Sequence, residues 1–350
     1  MIDLSPQRLS DILHQGDALA SGKVVTVQAE PVTGQGLVSD VARLVITYSP
    51  DATGVLPDRL FVKTARKDTH PEFFETGRHE VEFYRAAARL GRMPIPRCYA
   101  AEYDPEAGES LLITDDLTQT HFARPLPIPP SSEHCQMLID ALASLHGRFW
   151  ESPQLGHSLG ERLTADRAKA QTERLVGTLP AFFDFLGDAL LPKQRAIYER
   201  IVGSTYLQRA YQRLIALNRV TLIHGDVHTG NVMLPREPDG DVKLIDWQLW
   251  DIGMGAHDLA FLIALHWSRE RRALLERPLL ERYHAKLLES GVQRYPLGDF
   301  FEDYRRAIAT MVLIPIGQFR RKMPNGVIWF GMQDATAAFE DLGCEEVLES

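Results

Sequence analysis

Three oxygen-bearing side chains, set between short apolar runs, constrain this chain more than any other feature. Asp226 and Asn231 stand five positions apart in His224-Gly225-Asp226-Val227-His228-Thr229-Gly230-Asn231, and Asp246 follows in Leu244-Ile245-Asp246-Trp247-Gln248. Apolar Val220–Ile223 precedes the first aspartate, Val232–Leu234 follows the asparagine, and Val242–Ile245 leads into the second aspartate. This pattern predicts a hairpin over Thr221–Asp246, turning at Pro238-Asp239-Gly240, whose strands present all three donors at one end. Singly, each donor reads as a turn or capping residue. As a set they suit a hard cation such as magnesium, which takes oxygen ligands, few of them from protein and the rest from phosphate and water.

Composition narrows the class. A chain of 350 residues, 45% of them hydrophobic, has room for two domains with real cores. The net charge of −9 argues against a nucleic-acid partner, which calls for a basic face. Cys98, Cys135 and Cys344 are odd in number, far apart and without a C-x-x-C, so a disulfide framework is not expected and a reducing cytoplasm fits. The start, Met1-Ile2-Asp3-Leu4-Ser5-Pro6, reads as no signal peptide. The longest apolar runs, Leu259–Leu265 and Met311–Ile316, are too short for a membrane span. The expectation is a cytoplasmic protein with no membrane or nucleic-acid partner; oligomeric state is not legible in the sequence.

The first part of the chain reads as strands around one helix. Strands are predicted at Lys23–Glu30, Val41–Tyr48 and Arg59–Thr64, a helix over Glu72–Leu90 closed by Gly91, and a hairpin of Cys98–Tyr103 with Ser110–Thr114. A boundary after Asp115-Asp116-Leu117 gives a small β-rich lobe over 1–118, with a five-stranded sheet plus helix. Residues 119–350 read as a mainly helical lobe holding the catalytic hairpin within 221–250. Its helices are expected at Cys135–Trp150, Ala165–Thr178, Pro192–Leu217 and from about Asp258 onward. The fold class is α+β, in two lobes.

Phosphoryl transfer from a nucleotide needs such parts in this order: a carboxylate for the acceptor hydroxyl, then an amide oxygen and a second carboxylate for the metal. Protein kinases fill these roles with H-R-D-x-x-x-x-N and D-F-G. Here Gly225 replaces the arginine and Trp247-Gln248 replaces Phe-Gly. On that template Lys63, in the third strand, would reach the α- and β-phosphates of ATP. Glu80 in the following helix would hold its ammonium, in preference to Glu82, because Tyr84 one turn further on packs inward. Gly34-Gln35-Gly36-Leu37-Val38-Ser39 reads as a hairpin turn or as a cover for the triphosphate, with Gly36 among its backbone N–H groups and Ser39 adding a hydroxyl. Thr114–Leu117, including Asp115 and Leu117, would offer backbone groups to adenine. His224 and His228 read as supports that brace the loop; a zinc reading of their spacing lacks the glutamate and the helix it requires. His146 reads as a packed histidine, and Asp258 as a helix N-cap.

These residues, with Leu145-His146-x-x-Phe149-Trp150 and Asp258-Leu259-Ala260, resemble the aminoglycoside phosphotransferase and choline kinase superfamily. Asp246-Trp247-Gln248 and Glu80-Val81-Glu82-Phe83-Tyr84 look most similar to its ecdysteroid-kinase-like branch. The likeness runs from about Gly22 to Leu342. It implies a bilobal protein-kinase-like fold, ATP and magnesium, and phosphorylation of a hydroxyl on a small molecule. Asp226 would be the base, Asn231 and Asp246 the metal ligands, and Lys63 the phosphate ligand. Members called aminoglycoside kinases often lack this glutamine, so antibiotic resistance is not implied. The alternative class, a nucleotide-binding pseudokinase, typically lacks the lysine, the base or the metal aspartate, and all three are present. Phe182, Phe183, Phe185, Leu186, Leu190 and Leu191 read either as core or, with Trp329 and Phe330, as the wall of a site for a bulky apolar or aromatic alcohol. The chain's acidity would suit an aminoglycoside or choline-type cation instead.

Overall fold

The structure, a computed structural model, describes residues 4–32, 39–65, 74–91, 93–125 and 128–349, the Phe74 side chain excepted. The chain forms two compact units: Met1–Phe122 with Met233–Leu249, and Ala123–Val232 with Trp250–Ser350.

The first unit is built on an antiparallel five-stranded sheet, in the order Val24–Pro31, Ser39–Tyr48, Arg59–Ala65, Glu109–Asp115, Cys98–Asp104. Alternation along the strands sorts its two faces. Leu44, Ile46, Leu60, Val62, Leu111 and Ile113 share a core with Leu9, Ile12 and Leu13 of the helix Pro6–Gln15. That helix is an addition to the expected elements. Its signal was local: Ser5 caps it by accepting from the Arg8 N–H, and Pro6 supplies the preset first-turn φ. Burying Leu9 and Leu13 contributes about 2 kcal/mol each.

Lys63, between Val62 and Thr64, projects from the opposite face, where the helix Phe74–Ala87 lies. Gly77 permits the close approach of that helix: a Cβ there would stand 2.8 Å from Ser110 Oγ. The helix ends at Ala87, earlier than expected, with Gly91 at φ +71° beyond it. Its expected start at Glu72 lies outside the described residues.

The strand Val232–Pro235 pairs with Lys243–Leu244 on one side and His121–Ala123 on the other. Leu244 N–H donates to the Pro94 carbonyl at 2.6 Å, which fastens this hairpin to the chain that follows the helix. Thr221–Ile223 pairs elsewhere, with Asp251–Gly253 of the second unit. The segment expected as one hairpin is therefore divided between two pairings.

The second unit is helical around Leu297–Arg320, whose buried Phe300, Tyr304, Ile308, Met311 and Val312 recur at helical spacing. Ser132–Phe149 packs against Arg269–Glu289, and Asn325–Asp341 against Leu297–Arg320. The helix expected over Pro192–Leu217 breaks into Pro192–Gly203 and Tyr206–Ile215, because Ser204 turns extended and its Oγ accepts from the Tyr206 N–H. The helix from Ala165 continues past Thr178, through Pro180, to Leu186. Phe182 and Phe183 pack edge-on against Tyr198, which makes this stretch core. Phe185 and Leu191 stay exposed. Among the described residues no helix is long and apolar enough to cross a membrane.

Candidate active site

In the first unit, Lys63 stands between two carboxylates. Its Nζ lies 2.8 Å from Glu80 Oε2 and 2.7 Å from Asp246 Oδ1. Glu82 pairs instead with Arg78 on its own helix. Burial opposes the charge on Lys63, but the fields of Asp246 and Glu80 outweigh it, and the ammonium titrates above its ordinary range. Burial pushes the Glu80 carboxyl up, against the pull of Lys63. The cluster is thus a cation clamped from both sides, with one carboxylate carried by the helix and the other by the turn after Lys243–Leu244.

What holds that turn is aromatic. Trp247 is fully buried and lies flat on Phe83, with ring centroids 3.9 Å apart and planes 6° apart, and its Nε1–H donates to the Leu244 carbonyl. Asp246 adopts φ +63°, a left-handed conformation unusual for a residue with a Cβ. Gln248 donates from Nε2 to Ser39 Oγ at 3.2 Å.

In the second unit, Asp226 and Asn231 are joined directly. Asn231 Nδ2 donates to the Asp226 main-chain carbonyl and to its Oδ2, each at 3.0 Å. The amide nitrogen so engaged leaves Oδ1 as the Asn231 atom suited to a cation. His228 Nδ1 accepts from the Gly230 N–H at 3.0 Å, with Nε2 at 3.8 Å from Asp226 Oδ2. His224 Nδ1 accepts from the Asp226 N–H at 3.3 Å. Asp258, expected to cap its own helix, instead accepts from the His224 N–H at 2.7 Å and the Gly225 N–H at 2.9 Å. His146 adds a third contact to that carboxylate at 3.2 Å and meets Tyr283 OH through Nδ1. Burial raises the Asp258 carboxyl, yet His146, with His224 and His257, brings it below its usual range. The contacts of Asp258, Tyr283 and Gln248 were not legible in the local sequence, since their partners lie 33 to 209 residues away.

The remaining expected residues fall out as follows. Ser39 opens its strand, is 3% exposed and has its hydroxyl engaged by Gln248. Gly36 lies outside the described residues. Asp115 closes its strand, where its N–H donates to the Arg97 carbonyl and its carboxylate accepts from Tyr99 OH at 2.6 Å. Leu117 opens a 3-10 turn capped by Asp116. Hard oxygen donors of the kind magnesium takes are present in both sets: the Asp246 carboxylate in one, and the Asn231 amide with the Asp226 carboxylate in the other.

The chain belongs to the phosphotransferase enzyme family, whose model matches residues 47–296. Aminoglycoside 2'-phosphotransferase-IIIa, solved as its GDP complex, is similar with a TM-score of 0.55 at 12% identity, over 96% of this chain and 99% of that one. Spectinomycin phosphotransferase APH(9)-Ia, in complex with ADP and spectinomycin, is similar with a TM-score of 0.50 at 15% identity, over 99% and 98%. Choline kinase LicA from Streptococcus pneumoniae gives 0.50 at 13%, over 96% and 98%. At such identities the likeness shows the fold, which is kinase-like and α+β as expected. No curated protein matches the chain. The ecdysteroid-kinase-like branch is not distinguished by these likenesses.

Proposed function

We propose that this protein is an ATP- and magnesium-dependent kinase that phosphorylates a hydroxyl group of a small molecule. The observation that carries the reading is Lys63 held at 2.8 Å by Glu80 and 2.7 Å by Asp246. An ammonium fixed between two carboxylates is built to meet phosphate oxygens, with one carboxylate then available to a cation.

Asp226 orients the acceptor hydroxyl and takes its proton, with Oδ2 kept in place by the Asn231 amide. Asn231 Oδ1 and Asp246 are the groups that would hold magnesium. Magnesium, when bound, would neutralise phosphate charge. Lys63 holds the α- and β-phosphates, and most of the rate comes from positioning and charge. Supporting groups act behind these: Asp258 and His224 fix the loop that carries Asp226. Backbone groups of Asp115 and Leu117 would meet adenine; here the Asp115 N–H donates to the Arg97 carbonyl and the Leu117 carbonyl accepts from the Thr120 N–H at 3.1 Å.

For the acceptor, the Phe182–Phe183 stretch carries no argument because it is core. Trp329 and exposed Phe330 are the remaining aromatic side chains that would suit a bulky apolar or aromatic alcohol. The test is an ATP-consumption screen over alcohols, steroids, amino sugars and choline analogues, with Asp226→Asn as control. Product should form with one acceptor class, and the control should lose about 10²–10⁴-fold in turnover while still binding nucleotide. Nucleotide binding with no product from any acceptor would favour the pseudokinase reading.

A further inference from the structure

The residue after Asp246-Trp247 makes contacts that transfer chemistry does not itself require. Gln248 is 9% exposed, and its Nε2 donates to Ser39 Oγ at 3.2 Å. Its main-chain carbonyl accepts from His79 Nδ1 at 3.1 Å. His79 directly precedes Glu80 on the helix that also carries Phe83, while Ser39 opens the strand beside Lys63's own, with Ser39 opposite Ala65. The turn bearing Asp246 is therefore tied to the helix by the Trp247–Phe83 stack and by His79, to the sheet by Ser39, and through Asp246 itself to Lys63.

Each tie removes a different motion. Flat stacked rings resist separation but slide and rotate in their common plane, so the Trp247–Phe83 pair alone leaves a twist about the ring normal. Asp246 sits in a left-handed conformation, which aspartate visits more readily than most residues with a Cβ but which neighbouring structure must still select. A bond from Gln248 to the sheet, on the far side of Trp247 from Asp246, blocks that twist.

We propose that Gln248 is a positioning residue for Asp246, acting through Ser39 and His79 to keep the carboxylate where it serves a nucleotide-bound divalent cation. The inference rests on the kinase reading above and adds the residue that sets its cation site. It assigns the Ser39 hydroxyl a part in holding Asp246, in place of direct phosphate contact.

The test is a double-mutant cycle of Ser39→Ala, Gln248→Ala and the pair, read by calorimetric titration of the full chain with ADP, with and without magnesium. Each single variant should weaken ADP binding in magnesium by about fivefold, the size of one buried hydrogen bond, and leave magnesium-free binding within about twofold. The double variant should be no weaker than the singles, since both break one link. Additive losses, or equal losses with and without magnesium, overturn this inference and leave the kinase reading standing. A wild-type protein that binds ADP in neither condition overturns both. Should Gln248→Ala fail to fold, Ser39→Ala carries the same magnesium comparison alone.

Discussion

Asp258 holds Gly225 through its carboxylate: Oδ1 accepts the glycine N–H at 2.9 Å while Oδ2 accepts the neighbouring N–H of His224 at 2.7 Å. A helix far along the sequence thus fixes the backbone just before Asp226, and Gly225 meets the geometry with φ +79°.

Replacing Asp258 by asparagine keeps the shape but turns a two-oxygen acceptor into one acceptor and one donor. One buried N–H then faces an NH₂ group. The expected loss is about 3 kcal/mol of stability, the scale of charge-assisted bonds removed from a buried site, with turnover falling as the loop loosens. Urea unfolding at neutral pH measures it; a loss under about 0.5 kcal/mol would show that the loop is held by other contacts.

Acid should weaken the second unit before it reaches the carboxylates. His266 is half-buried beside His228, and desolvation first, then that neighbour, hold it at about 4 in place of 6.5. The unfolded chain takes up this proton below 6.5 and the folded chain does not until about 4, so stability is complete above 6.5 and falls between the two. At pH 5 the loss is about 2 kcal/mol. His257, also depressed by burial, acts in the same direction. His266→Gln should flatten the change in unfolding free energy between pH 7 and pH 5. An unchanged slope in that variant would place the proton uptake elsewhere.

Gly255 is required by space. A Cβ there would stand 2.3 Å from Tyr283 OH and 2.8 Å from His146 Nδ1, inside the network that supports Asp258. Gly255→Ala should cost about 2–3 kcal/mol, as overpacking does. Adding Tyr283→Phe removes the nearer atom, so the double variant should lose less than the two singles together. Melting temperatures of the four proteins decide it; strict additivity would mean the helix shifts to make room.

Much of this was legible in the chain because the sheet strands alternate and the donors sit at short, fixed spacings. Val41–Tyr48 and Arg59–Thr64 reappear within strands Ser39–Tyr48 and Arg59–Ala65. What escaped was whatever depends on distant partners. Val220–Ile223 and Val232–Leu234 are equally apolar, and nothing local says that Thr221–Ile223 pairs with Asp251–Gly253. Asp258 carries a signature that fits a helix N-terminus, and only tertiary packing reveals that its carboxylate serves another segment. Pro180 lies inside a helix that local rules would end before it, because burial of Phe182 and Phe183 overrides propensity. Ser39 reads as a loop hydroxyl until Gln248, 209 positions on, claims it.

The sharpest separation of roles comes from Asp246. Asparagine tolerates a left-handed backbone better than most residues, so Asp246→Asn keeps the φ of +63° at little cost, whereas alanine would add strain to the loss of charge. Stability should therefore stay within about 1 kcal/mol of wild type. Lys63 retains Glu80 at 2.8 Å, so its ammonium persists and magnesium-free nucleotide still has its phosphate partner. The neutral amide, however, is a poor ligand for a hard dication beside a cationic lysine. Calorimetry should show ADP affinity that no longer rises with magnesium, together with a melting temperature close to wild type. If the variant binds magnesium–ADP as tightly as wild type does, Asp246 is a structural partner of Lys63, and the cation must be held by other donors.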